Sequence, residues 1–427
     1  MALFIKNIEY LTMADGAQTA FGSIRIENDI IAAIGQIEPQ ADDEIIDGKH
    51  LLAMPGLINS HNHAAMTLLR SYADNLPLME WLNTKIFPAE ALLTADDIYA
   101  GILLAQLEMI KGGTTCYADM YFRQEQAVRA CEQSGIRASL CLGTADNFDN
   151  FKEKLDDSLH FCETYNHSAG GLVSVMLGPH APYTCSQTYL RSISELSIEK
   201  DLPIHIHIAE TQNEQEIIKQ QTGMKVIPYL NSLGMLDAKV LAAHMVYVYA
   251  EDIELLRDKK VGVSICTQSE MKLASGIAPL PEYLKEGIAV GLGTDGTSSN
   301  NDLDMWEEMR STALLHKVDR LDSTIITPYE TLSMGTTGSA RCLFLDQQIG
   351  TLEVGKKADI ILLNTLQPHL YPRNDILSLL VYCAHASDVE TVIIDGKIVM
   401  KNRQCLTLDE EKILFEAERC AKRILNR

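Results

Sequence analysis

The sequence predicts an α/β fold, a (β/α)8 TIM-type barrel with a small β-sandwich domain built from both ends of the chain. Three observations predict it. Eight apolar strand candidates alternate with helical stretches through the middle of the chain. Strand-rich segments punctuated by Gly, Asp and Asn occupy both ends. The 427 residues are too many for one simple core and suit a large barrel with an attached domain.

Taken in order, residues 1–54 read as short strands: "SIRIEND" and "IIAAIG" are β-rich, and "DGKHLLAMPG" places a turn before an apolar strand. The eight candidates of the middle are "LINSHNH", "GTTCYADM", "RASLCLG", "VSVMLGPH", "LPIHIHIAE", "VLAAHMVY", "VGVSICT" and "AVGLGTD". Between them lie amphipathic stretches such as "ADDIYAGILLAQLEMIKGG", closed by a glycine C-cap signal, and "EDIELLRDKK". "GTLEVGKKADIILLN" and "DVETVIIDGKIVMKN" return to strands, and the chain finishes on a helical stretch. The expected domains are a composite β-sandwich over 1–54 and 350–407, a barrel over 55–349 and a terminal helix over 408–427.

A net charge of −22 argues against a nucleic-acid backbone or an anionic membrane as partner. Ten cysteines without a CxxC pair read as reduced intracellular thiols, with Cys116, Cys141 and Cys266 acting as small hydrophobes in apolar strands. The N-terminal stretch has no secretory pattern, and no run approaches the roughly 20 apolar residues that span a bilayer. A cytoplasmic protein is expected.

In such a barrel, chemistry sits at the C-terminal ends of the strands. Of the 12 histidines, His61 and His63 end the first candidate strand one residue apart, on the same side if the chain is extended. His180 ends the fourth, His207 the fifth with Glu210 just beyond, His244 the sixth and Asp295 the eighth. Singly, each has an ordinary explanation: a loop histidine for His180, a hydrogen-bonded interior residue for His205 or His207, a turn aspartate for Asp295. Together at the ends of separate strands they read as a metal site. Imidazoles with one carboxylate suit zinc or iron and leave a position open for water. Water on such a cation has a pKa of about 7, against 15.7 in bulk. A glutamate that is not a ligand can then move its proton.

These segments, with "LPLMEWLNTKIFPAE", "KLASGIAPL" and "GTDGTSSNNDLDMWEEMR", resemble the amidohydrolase superfamily and, within it, the 5-methylthioadenosine/S-adenosylhomocysteine deaminases. The resemblance spans essentially the whole chain. It implies His61, His63, His207 and Asp295 as metal ligands, Glu210 as proton shuttle, and His244 as the residue orienting water and intermediate. It further implies His180 on the substrate ring, Glu90 on the ribose hydroxyls and Ser299 as a lesser substrate contact. Trp81, Leu82 and Phe87 are candidates for an apolar slot, although a helix face explains them equally well. Binuclear relatives carry a modified lysine at the end of strand four. "LGPH" stands there instead, so one divalent metal per subunit is expected, Zn2+ first, with Fe2+ or Mn2+ as alternatives. The implied reaction is hydrolytic deamination at C6 of the adenine ring of a nucleoside: 5-methylthioadenosine, adenosine or S-adenosylhomocysteine. The implied assembly is a homo-oligomer, dimer or tetramer.

Two features bear on the substrate. "ICTQSEMKLASG" carries Glu270 and Met271 where relatives show an Asn-Leu pair, near the expected substrate edge. No arginine lies between Arg137 and Arg191, where a homocysteine carboxylate would call for one. This leans towards methylthioadenosine or adenosine, with Lys152, Lys154 or a neighbouring subunit as alternative cations. The rivals are a guanine or other heterocycle deaminase or a triazine-type chlorohydrolase, a scaffold that has lost its metal, and a metal-storage protein. Glu90 speaks for a ribosylated substrate, and the complete set of ligands with Glu210 and His180 speaks against the last two.

Overall fold

The computed structural model of the protein describes residues 2–14, 16, 19–146 and 150–425. The portions of the expected domains that fall on 1, 15, 17–18, 147–149 and 426–427 lie outside them. Eight parallel strands form the barrel: Leu57–Asn59, Thr114–Tyr121, Arg137–Thr144, Val173–Pro179, Ile204–Ile208, Val240–His244, Gly262–Ile265 and Val290–Leu292. Each sequence candidate coincides with one of them, and two of the strands run one residue further, to Tyr121 and Thr144. The strands are buried on both faces, by helices outside and packed side chains inside, which is why they read as apolar runs without clean alternation. Ile58, Cys116, Cys141, Met176 and Leu241 fill the interior. All ten cysteines are free, eight of them buried.

The first strand is shorter than its sequence suggests. Regular pairing with the second strand stops at Asn59, so His61 and His63 stand in the extended segment beyond it. Single bonds stitch that segment to the eighth strand and its following loop: Ser60 N–H donates to Leu292 O at 2.8 Å, and Asp295 N–H to His61 O at 3.0 Å. The close approach needs Gly293, where a Cβ would stand 2.7 Å from the backbone nitrogen of His61. The helix over Ala95–Gly112 opens on a Thr94 capping box and ends at Gly113 in the left-handed region, as its closing glycines predict.

Both ends of the chain meet in one continuous nine-stranded sheet with its own core. Leu51–Pro55 pairs antiparallel with Ile360–Asn364, the join between the two halves. Only Gly56 separates Leu51–Pro55 from the first barrel strand. Within 350–407 the chain also leaves the sheet: Ile376–Tyr382 is a helix whose Leu380 and Val381 pack into the barrel's core. The terminal helix, Glu410–Ile424, is capped by Asp409 and lies against Ala95–Gly112.

A buried ion cluster ties the barrel to the sheet. Arg137, at the start of the third barrel strand, reaches Asp359 at 2.8 Å and Asp395 at 3.0 Å, and its side chain is only 3% exposed. Removing the guanidinium leaves a buried carboxylate unpaired, which costs about 3–5 kcal/mol. Arg137→Ala is therefore expected to lower unfolding stability by that amount in a denaturant titration, with turnover per folded molecule unchanged. A loss below about 1 kcal/mol would show that the cluster is not a strut.

Candidate metal centre and active site

Four donors from three places in the chain converge at the open end of the barrel. Nε2 of His63 lies 3.2 Å from Asp295 Oδ1 and 3.3 Å from His207 Nε2, while His61 Nε2 lies 3.4 Å from the same Oδ1. Donors bound tetrahedrally to zinc at about 2.0–2.1 Å stand about 3.3 Å apart. The spacing therefore fits one cation. His61 Nε2 is buried and has no hydrogen-bond partner, an orphan that a ligand bond would satisfy.

Surrounding groups fix the tautomers. The Nδ1–H of His63 donates to Met120 O at 2.6 Å and that of His207 to His180 O at 2.7 Å, which turns each Nε2 lone pair inward. His61 Nδ1 is held at 2.7 Å by Nε2 of His205, whose Nδ1 lies 3.5 Å from Cys141 Sγ. His205 thus supports a ligand from within the barrel. Ser269 and Ser299 both donate to Asp295 Oδ2 at 2.7 Å, leaving Oδ1 to face the histidines.

Burial pushes the imidazoles of His61 and His180 down to about 4, and those of His205 and His207 well below the ordinary value. These rings are neutral and able to ligate. Burial also opposes charge on His63 and His244, but Asp295 and Glu210 beside them raise both. For Asp295, burial acts upward and is outweighed by the His61 and His63 imidazoles beside it, which hold the carboxylate ionised.

Glu210 follows Ala209, whose φ of +53° turns the chain out of the fifth strand. Glu214 clamps that turn by accepting both backbone N–H groups at 2.9 Å. Glu210 is buried, which raises its carboxyl, and its Oε2 lies 3.9 Å from His244 Nε2. His244 and Asp295 also have positive φ, +73° and +59°. Three strand ends around the site thus hold non-glycine residues in the left-handed region, a strain that such sites concentrate.

A cavity of about 490 Å3 opens onto this cluster. His63, His207, Glu210, His244 and Asp295 form its floor, with His180, Glu90 and Ser299 on its walls. Of the sequence candidates only His61 lies beneath the lining. Trp81, Leu82 and Phe87 line the cavity as well. They belong to a helical segment, Leu78–Glu90, with a π-helical turn over Leu82–Ile86. Ser299 Oγ lies 2.7 Å from Asp295 Oδ2 and 2.9 Å from Gly296 O, and its one hydrogen goes to the nearer, charged acceptor. Met271 is 51% exposed and Glu270 is buried behind His244, and neither lines the cavity. The Asn-Leu departure therefore falls outside the expected substrate edge.

Several contributors escape sequence reasoning. Tyr121 O–H donates to Glu90 Oε1 at 2.6 Å and holds that carboxylate at the wall. Thr184 Oγ1 lies 3.0 Å from His180 Nδ1. Ser269 sits unmarked in "TQSEMK". Tyr121 alone left a signal, since it ends a strand at the open face.

Comparison with known proteins agrees with this geometry. Residues 52–399 match the amidohydrolase family. A 5-methylthioadenosine/S-adenosylhomocysteine deaminase of Pelotomaculum thermopropionicum is 47% identical over 431 residues, covering 100% of this chain and 99% of the relative. A protein of the same name from Syntrophomonas wolfei is 48% identical over 432 residues, covering 100% of both. Among solved structures, an adenosine deaminase from Xanthomonas campestris with bound zinc superposes with a TM-score of 0.91 at 31% identity, over 100% of this chain and 99% of that one. An atrazine chlorohydrolase from Arthrobacter aurescens, at 24% identity, 98% and 100% coverage and a TM-score of 0.91, shares the fold. By sequence along its whole length, the chain belongs to the amidohydrolase family, among the members named 5-methylthioadenosine/S-adenosylhomocysteine deaminases.

Proposed function

We propose that the chain is a metal-dependent hydrolytic deaminase acting at C6 of the adenine ring of a nucleoside and releasing ammonia and the inosine-type product. The observation that carries this reading is the convergence of His61, His63, His207 and Asp295 beside Glu210 and His244, at one cavity that also presents Glu90. His61, His63, His207 and Asp295 would hold one divalent cation per chain. Zinc suits the three imidazoles and one carboxylate best, with Fe2+ or Mn2+ as alternatives. Bound there, such a cation would lower the pKa of water to about 7 and polarise the reacting centre.

The chain's own groups do the rest. Glu210, buried and therefore ready to take a proton, accepts one from the attacking water and delivers it to ring N1. His244 orients that water and the tetrahedral carbon that forms. Proton transfer to the exocyclic nitrogen then lets it leave as ammonia. His180 faces the ring edge, Trp81, Leu82 and Phe87 enclose the bicycle, and Glu90 accepts from the ribose hydroxyls, for which no free base offers a substitute. Ser299 acts through Asp295 and at the cavity wall.

Among the substrates, the lining favours an uncharged tail. No Lys or Arg is among the described residues that line the cavity. Lys152 and Lys154, on the helix Phe151–Tyr165, lie outside it, and Lys154 pairs with Asp157 at 3.5 Å. A homocysteine carboxylate there would lack a bidentate partner worth about 1.5–3 kcal/mol, or roughly 10–100-fold. Metal-analysed protein screened for ammonia release should turn over methylthioadenosine and adenosine with kcat/KM about 10–100-fold above S-adenosylhomocysteine. Equal or better use of S-adenosylhomocysteine would refute the tail argument. Turnover of free bases alone, or of none of these, would overturn the assignment.

A further inference from the structure

Glu270 is the buried carboxylate that the reaction above leaves without a task. It lies on the helix Thr267–Lys272, which follows the seventh barrel strand, and only 3% of it is exposed. Its Oε1 accepts the backbone N–H of Cys266 at 2.9 Å, which fixes the carboxylate in place. The same oxygen lies 3.5 Å from Nδ1 of His244. That nitrogen is buried and has no hydrogen bond of good geometry, although its ring carries Nε2 towards Glu210.

Two groups compete for this nitrogen. His244, Cys266 and Glu270 offer atoms that all lie within 4.8 Å of one another. The Cys266 thiol is pushed up by burial and stays protonated, a weak partner. A carboxylate is the stronger acceptor by about twofold. A second acid stands nearby: Glu308, fully buried, accepts Gln268 N–H at 3.2 Å. Burial, with the charge of Glu270, raises the Glu308 carboxyl well above the ordinary range.

We propose that Glu270 is a positioning residue for the deamination: its carboxylate accepts the Nδ1–H of His244 and thereby keeps Nε2 turned towards Glu210 and the attacking water. The left-handed backbone at His244 (φ +73°) makes such an anchor useful, because the strand's own geometry does not fix the ring. The inference rests on the deaminase reading, and its test keeps the two apart.

The test is a double-mutant cycle on metal-loaded protein with methylthioadenosine, combining Glu270→Ala with His244→Asn and measuring the slow variants by ammonia release at high enzyme concentration. Glu270→Ala is expected to lower kcat by about 10–100-fold, the usual cost of losing such a partner, with KM and metal content within twofold of the wild type. In the His244→Asn background it should cost nothing further. Glu270→Gln, which keeps an oxygen for both Cys266 and His244, should recover most of the lost rate. An equal loss in both backgrounds would make Glu270 a structural residue and overturn the proposal, as would a kcat within twofold of the wild type. If Glu270→Ala does not fold, Glu270→Gln and Glu270→Asp run the same cycle, and a loss that persists without His244 overturns it equally. Failure of the wild type to deaminate any nucleoside would instead sink the reading on which the inference stands.

Discussion

Replacing Glu210 by Gln should lower kcat by about 10²–10⁴-fold, the range that a positioned proton-transfer group contributes. Gln keeps the shape of the side chain and cannot accept the water's proton or deliver one to N1. The loss should fall on kcat with KM nearly unchanged, because the amide can still accept and donate hydrogen bonds in the ground state. The environment makes the effect large. Glu210 is buried, its backbone is clamped by Glu214, and its carboxylate faces His244 at 3.9 Å. Neither Glu90, held by Tyr121 at the cavity wall, nor Glu270, behind His244, is placed to take over. The wild type should also lose kcat/KM as pH falls through the raised Glu210 value, because the ionised form is the one that accepts a proton. That acid limb should vanish in the variant. A Glu210→Gln protein within tenfold of the wild type at equal metal content would remove Glu210 from the chemistry.

The second large effect is expected at Asp295. Asp295→Ala removes the only carboxylate of the four-donor cluster and with it the negative charge that balances a divalent cation. The purified variant should hold well under one equivalent of metal and lose turnover by at least about 10³-fold, equivalent to about 4 kcal/mol in the barrier. The protein should still fold. What the substitution strands is modest: two hydroxyls, Ser269 and Ser299, and the face of His61, for a cost of about 1–3 kcal/mol. A strong chelator applied to the wild type should reproduce the loss, and added zinc should reverse it in the wild type alone. An Asp295→Ala protein with one full equivalent of metal and wild-type turnover would dismantle the proposed centre.

Much of this was legible in the chain because the barrel confines chemistry to strand ends. His180, His207, Glu210, His244 and Asp295 each follow an apolar run at the point where the fold opens, and all line one cavity. Glu90 and the slot of Trp81, Leu82 and Phe87 came instead from family resemblance, because a helical segment with a π turn has no periodicity that marks one face. The first strand was read too long: His61 and His63 continue an apolar run, but their partners are loop atoms near Asp295, invisible in local sequence. The supporting groups were the least legible. Ser269, Tyr121 and Thr184 are common polar residues, whose roles depend on contacts made across 26, 31 and 4 positions of sequence. Glu270 stood out as an oddity of sequence, and only its burial against His244 gives the oddity a physical sense.

The join between the two halves of the terminal sheet has a consequence for how the protein is made. Leu51–Pro55 leads through one glycine into the first barrel strand, yet its antiparallel partner is Ile360–Asn364. A ribosome adding about 5–20 residues per second needs on the order of 15–60 s to travel from one to the other. Throughout that interval the nascent half-sheet presents an apolar strand with unsatisfied backbone groups, the kind of edge that recruits neighbouring chains. Synthesis therefore passes through an adhesive intermediate on every round. The barrel can close before the sheet does, and the last strands to emerge seal the seam.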